Sequence, residues 1–266
     1  MGINPKARIT SNAWALLPIS FGLGILIWKL VIQIGDIEPF ILPTPEQVWM
    51  RFGRAIEDGS LARHSLVTLS EVFGGLALGV IAAGLLGYLL AKSRPVERLL
   101  SPYIVASQSI PIVAVAPLLV IWFGPGLASK VLITGLIVFF PVLINTIVAL
   151  RGVPTDLRDL MRSLNATKWQ QFRLLELPAS LPVFLGGLRI GATLSVIGAV
   201  VGEFVGADRG LGFLINVGRG EYDVALVFVA VISLILMALL LYGAVLQLER
   251  RSVAWQIHDK GNSWRG

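Results

Sequence analysis

The sequence predicts an all-α integral membrane protein with six transmembrane helices and an amphipathic two-helix loop. Three observations predict it. Of the 266 residues, 55% are hydrophobic and only 14% charged, against roughly one quarter charged in a water-facing domain. The apolar residues gather into six runs near the ~20 residues that cross a hydrocarbon core of about 30 Å. One polar, basic island between the fourth and fifth runs nevertheless keeps an apolar helical face.

Composition also narrows function. There is no cysteine, so disulfides, thiolate metal sites and cysteine nucleophiles are excluded. His64 and His258 stand far apart, without ligand-like neighbours, and read as interfacial or tail residues. The net charge of +6 is scattered among apolar runs. That pattern fits anchoring at a membrane face and not nucleic-acid binding. No G-x-x-x-x-G-K-[ST] loop, HExxH or GxSxG motif occurs, so the chain offers neither a nucleotide cradle nor an enzymatic constellation.

The first run, about 13–34, reads as a retained anchor, because no small-residue cleavage site follows it. Lys29 near its far end can snorkel outward. The stretch 35–64 is polar, with Pro39, Pro43 and Pro45, and predicts a short surface helix from Pro45 to Ala55. The second run, about 66–91, carries Gly75, Gly79, Ala83 and Gly87 at every fourth position. Such a stripe lets another helix approach closely, and packing is what holds membrane helices together. Gly198, Gly202 and Gly206 form a second stripe on the fifth run, about 183–205. Gly135 lies outside both stripes and is expected to be neutral.

The third and fourth runs, about 100–123 and 128–150, contain Pro111, Pro117 and Pro141. Each proline frees a backbone carbonyl that must face protein or a wet cavity. A polar loop, 208–223, precedes the sixth run, about 224–248. Lys and Arg set the expected orientation: fourteen fall in the segments on the N-terminal side of the membrane and six in those opposite. That bias puts both termini and the polar island in the cytoplasm.

The island, 155–182, predicts two short helices and a turn. Leu157, Leu160, Met161 and Leu164 recur at helical spacing. Asn165 follows them, and asparagine enters the left-handed conformation that ends helices. Trp169, Phe172 and Leu175 make a second amphipathic turn, which Pro178 is expected to stop before the membrane. A greasy face on a polar loop needs a partner. Elsewhere, Glu71, Arg189 and Glu203 are ionisable residues inside or near the spans. Intramembrane charge is expensive, which makes these three candidates for the translocation path, with structural roles as the competing reading.

The same island resembles the coupling loop of permease subunits of ABC importers, whose pattern is E-A-A, three residues, G, nine residues, I, one residue, L-P. Asp159-Leu160-Met161 stands at E-A-A, Asn165 at the glycine, Leu175 at the isoleucine and Leu177-Pro178 at L-P. LPTPEQVW at 42–49, PIVAVAPLLVIWFG at 111–124, SKVLI at 129–133, the glycine-rich stretch 187–215 and LERR at 248–251 are similar to the branch that imports nitrate, sulfonates, taurine and related solutes. Within it, Glu71 stands where oxyanion importers often carry arginine, and SQSIPIVAVAP with VIGAVVGEF looks more like importers of thiamine-precursor pyrimidines or riboflavin. The resemblance implies a type I importer permease with six spans, in a bacterial-type cytoplasmic (inner) membrane. It implies a dimer with a second permease subunit, and an extracytoplasmic solute-binding protein. Two cytoplasmic ATPase subunits would bind ATP and Mg, with no cofactor in this chain. Coupling would fall to Asp159, Leu160, Met161, Leu164, Asn165, Leu175, Leu177 and Pro178. The rival class is a standalone secondary transporter or channel, which needs no exposed loop face and usually shows a mid-membrane coupling charge or repeated halves.

Overall fold

The computed structural model describes residues 13–252. The tail residues Lys6, Arg8, Trp255, His258, Lys260 and Arg265, and the side chain of Trp14, lie outside what it describes. Eleven α-helices and one π turn make up the described part, with no strand among them. Five helices are long and apolar enough to cross a membrane, or six if a bent pair is counted as one span. The candidate spans are α1 (Ala13–Gly35), α3 (Ser60–Lys92), the pair α4 (Arg94–Gln108) and α5 (Ile112–Phe123), α6 (Leu127–Arg151), α9 (Leu177–Gly206) and α11 (Val224–Ser252).

Helices α3, α6 and α9 form the centre of the bundle. Both glycine stripes point into it. A Cβ on Gly79 would lie 2.7 Å from the Gly135 carbonyl and 2.9 Å from Val138. On Gly198 it would lie 2.7 Å from the Thr134 Cα, and on Gly202 3.0 Å from Lys130. The supposedly neutral Gly135 is part of the same contact, because its own Cβ would meet Leu78 at 3.1 Å. It escaped the stripe reading because α6 meets the stripe with one glycine and not a row. Gly79→Leu and Gly202→Leu should abolish recovery of monodisperse protein from detergent. Gly186→Leu and Gly243→Leu should not, because nothing lies within 4 Å of either added Cβ. Equal recovery of all four would remove the stripes as packing faces.

The third run, about 100–123, where prolines are expected to interrupt the helix, is broken sharply. Helices α4 and α5 meet at 94°. Pro111 makes the break: it supplies no N–H and holds an extended ψ of 117° at the start of α5. Pro117 and Pro141, read as equivalent in the sequence, stay inside α5 and α6.

On one side of the bundle, α2 (Pro45–Glu57) fulfils the short surface helix. Thr44 and Gln47 close a reciprocal capping box at its start. Arg51 on α2 donates to Asp223 at 2.7 Å, and Asp223 also caps the start of α11 through the Leu226 N–H at 3.0 Å. Hydrogen bonds from Ser60 hold the Asp58 carboxyl below the usual carboxylate range. The stretch 208–223, expected as plain loop, contains α10 (Leu211–Gly220), with Leu211, Gly212, Leu214 and Ile215 buried.

Candidate functional site

The polar island folds as α7 (Thr155–Ser163), α8 (Lys168–Gln171) and a π turn, Phe172–Glu176, that runs straight into α9. The end of α7 is a paired-hydrogen-bond turn. The Asn165 N–H bonds to Arg162 O at 2.9 Å and the Ala166 N–H to Met161 O at 3.0 Å. This is the Schellman arrangement, with Asn165 at φ 55°, the left-handed residue it requires. Thr167 and Gln170 then cap α8 reciprocally. The expected stop at Pro178 does not occur. Pro178 sits in the first turn of α9, where a missing N–H costs little. The preceding π turn carries the chain through without interruption, so one helical rod reaches from the loop into the bundle.

The leucine face of α7 finds no cover among the described residues. Leu157, Leu160 and Leu164 are 42%, 55% and 69% exposed. Met161 and Leu175 are half-buried, and Leu177 is exposed. Among the described residues Asp159 pairs only with Arg162 on the same helix, at 3.1 Å. The loop is nonetheless held firmly. Glu176, fully buried, accepts from Lys92 at the end of α3 and from Gln171 at 3.0 Å, and faces Arg158 at 3.7 Å. Arg158 in turn donates to the Leu150 carbonyl at 2.5 Å. The loop therefore presents an apolar face on a mount tied to α3, α6 and α9. Glu176 and Lys92 were not singled out from the sequence, although an acid one residue before Leu177-Pro178 marks the place.

The three ionisable candidates separate. Glu71 and Glu203 come together between α3 and α9, with their carboxyls against each other. Arg189 is elsewhere, 3.4 Å from Glu249 and over the ring of Tyr242 on α11. Glu203 is the hub: Thr68 donates to it at 2.6 Å, and so does the Gly212 N–H. The Leu211 N–H bonds to Thr68 at 2.8 Å and the Gly210 N–H to His64 Nδ1 at 2.9 Å. Three successive amides at the start of α10 are thus satisfied from α3 and α9. A carboxylate at that end also meets the positive pole of the helix. Gly210 takes φ 111°, and a Cβ there would collide with Glu203, so the acid and this glycine fit only each other.

Lys130, counted from the sequence as an outer cation, is buried beside this cluster. Its ammonium donates to the carbonyls of Pro125 and of Gly206, the latter at 3.0 Å. It lies within electrostatic reach of Glu71 and Glu203. Its signal was a lysine inside the first turn of a long apolar helix. His64, read as ordinary, also stacks on Phe213 of α10 at 5.7 Å.

With this geometry in view, residues 75–253 match the family model described as binding-protein-dependent transport system inner membrane component. The chain belongs to this family. It is 47% identical over 257 residues to the riboflavin transport system permease protein of Chloroflexus aurantiacus, covering 96% of each chain. It is 38% identical to the formylaminopyrimidine transport permease protein of Halalkalibacterium halodurans, covering 91% of this chain and 96% of that one. A structure of the MetNI methionine ABC transporter in an inward-facing conformation superposes with a TM-score of 0.63, 23% identity, 70% of this chain and 93% of that one. That likeness speaks for the fold. The chain is an ABC importer permease of the binding-protein-dependent family, with a type I importer fold.

Proposed function

We propose that this permease carries a small, flat heterocycle across the inner membrane by alternating access, with α7 as the element that takes up the ATPase stroke. The observation that carries the coupling reading is the exposed leucine face of α7, set by the Asn165 turn and joined to α9 by a continuous rod. Separate ATPase subunits, which bind ATP and Mg, would bury that face. When they close, the rod transmits the movement into the bundle. A second copy of the permease completes the path, and an extracytoplasmic binding protein delivers solute. A standalone secondary transporter or channel would have no use for the exposed face.

The solute reading leans to riboflavin or a thiamine-precursor pyrimidine over nitrate, sulfonates or taurine. Two of the relatives above carry those names, and the one arginine proposed for the path is already engaged by Glu249 and Tyr242. The neighbouring binding protein, purified, should bind a flavin or pyrimidine, and vesicles holding the complete complex should accumulate the same compound on ATP addition. Tight binding of taurine or nitrate with none of the heterocycles would overturn the solute and leave the family intact.

The buried Glu203, with Glu71 against it, acts in this reading through α10, as the fixing point of an outer helix, and not by touching solute. Both termini and α7 face the cytoplasm. With no native cysteine, single substitutions report this cleanly. Glu57→Cys should react with an impermeant maleimide in intact cells, and Asn165→Cys only after permeabilisation. The reverse pattern would invert the topology.

A further inference from the structure

At the loop end of the bundle, α3, α6 and the α8–α9 segment bound an open groove of about 680 Å³. Its walls are apolar: Ile81 and Leu85 on α3 face Leu181 and Phe184 on α9. Tyr88 and Trp169 stand at its loop end, each packed on Phe172, at 5.4 and 5.8 Å between ring centroids. Tyrosine and tryptophan collect where hydrocarbon gives way to headgroups, so the groove starts at hydrocarbon depth and ends at the interface. Gly84 forms its floor, with no atom within 4 Å of where a Cβ would be.

The rim is cationic and uncompensated. Lys168 lines the groove and is exposed. Its side chain makes no hydrogen bond or ion pair among the described residues. Lys92 nearby is different, being neutralised by Glu176. An apolar body with a positive rim complements an amphiphile that has hydrocarbon chains and a negative head. A soluble heterocycle would leave its polar edges unpaired on these walls.

We propose that this groove holds an anionic phospholipid, with acyl chain between α3 and α9 and phosphate at Lys168. Trp169 and Phe172 belong to the loop that α7 opens, so the lipid would touch the second half of the coupling element. Bilayer composition would then act on the loop directly. The inference rests on the spanning reading and on neither the solute nor the topology, because lipid reaches both leaflets of a symmetric membrane.

The test uses the full chain in mild detergent with brominated phosphatidylglycerol or brominated phosphatidylcholine, read by tryptophan fluorescence. The part of the quenching lost in Trp169→Phe reports the groove. Phosphatidylglycerol should quench that part at a mole fraction at least about fivefold lower than phosphatidylcholine, and Lys168→Gln should remove about fivefold of the preference, the usual worth of one cation at an anionic surface. Gly84→Leu, which fills the floor without a clash, should reduce quenching by both lipids. Equal quenching by the two lipids would mean an ordinary annulus and overturn the site. So would a preference unchanged in Lys168→Gln. Quenching by neither, growing only as protein is diluted, would assign the groove to a second copy of the chain and overturn it equally.

Discussion

Met161→Glu and Leu164→Asp should each abolish co-purification of the ATPase subunits and ATP-driven uptake in vesicles, while the permease still inserts and extracts normally. Leu164 is 69% exposed among the described residues, so a charge there should leave the fold alone. Burying the α7 face in a partner's cleft should stabilise the complex by several kcal/mol, at roughly 25 cal/mol per Å² of apolar surface. A carboxylate placed in that cleft adds a desolvation cost of several kcal/mol more. The two together exceed the ~4 kcal/mol that separates a micromolar from a millimolar complex. Asn165 provides a second lever on the same element. Asn165→Gly should be tolerated, because glycine enters the left-handed region freely. Asn165→Val should uncouple, because a β-branched residue at φ 55° is strained. Normal ATPase capture and normal uptake in both charged variants would remove the mechanical reading of the loop.

Glu203→Ala should be the most damaging single change inside the bundle. It strips the acceptor from the Gly212 amide and from Thr68, and leaves Lys130 and Glu71 without their neighbour. Loss of one member of a buried charged cluster costs about 3–5 kcal/mol, and each orphaned donor adds to that. The damage should be local first: α10 amides between 211 and 220 should lose hydrogen-exchange protection before α6 or α9 does. Glu203→Gln keeps an oxygen for Gly212 and should retain most of the protection. Gly210→Ala should resemble Glu203→Ala, because the added Cβ falls on the carboxylate. Unchanged protection of α10 in Glu203→Ala would show that the cluster does not hold that helix.

How far the site was legible depended on the range of the physics involved. The spans and the α7 face could be read because lipid imposes a local rule: each segment must be apolar for a set length and must satisfy its own backbone. Asn165 could be read because a left-handed helix end is chosen by the residue itself. The expected stop at Pro178 failed because a π turn, invisible to hydrophobic periodicity, absorbed the proline. Three prolines looked equivalent, yet only Pro111 breaks a span. Helix α10 was missed because its first amides are satisfied by His64, Thr68 and Glu203, partners up to 146 positions away.

By itself the sequence determined an all-helical membrane protein, the two close-approach stripes, the amphipathic loop and its turn, because each follows from neighbours within a few residues. Only the tertiary structure decided that Glu71 and Glu203 meet while Arg189 goes to α11, that Lys130 is buried, and that Glu176 ties the loop to α3. Those are meetings of side chains on different helices. Their geometry depends on how α3, α6 and α9 rotate against one another, which no spacing along one strip of chain expresses.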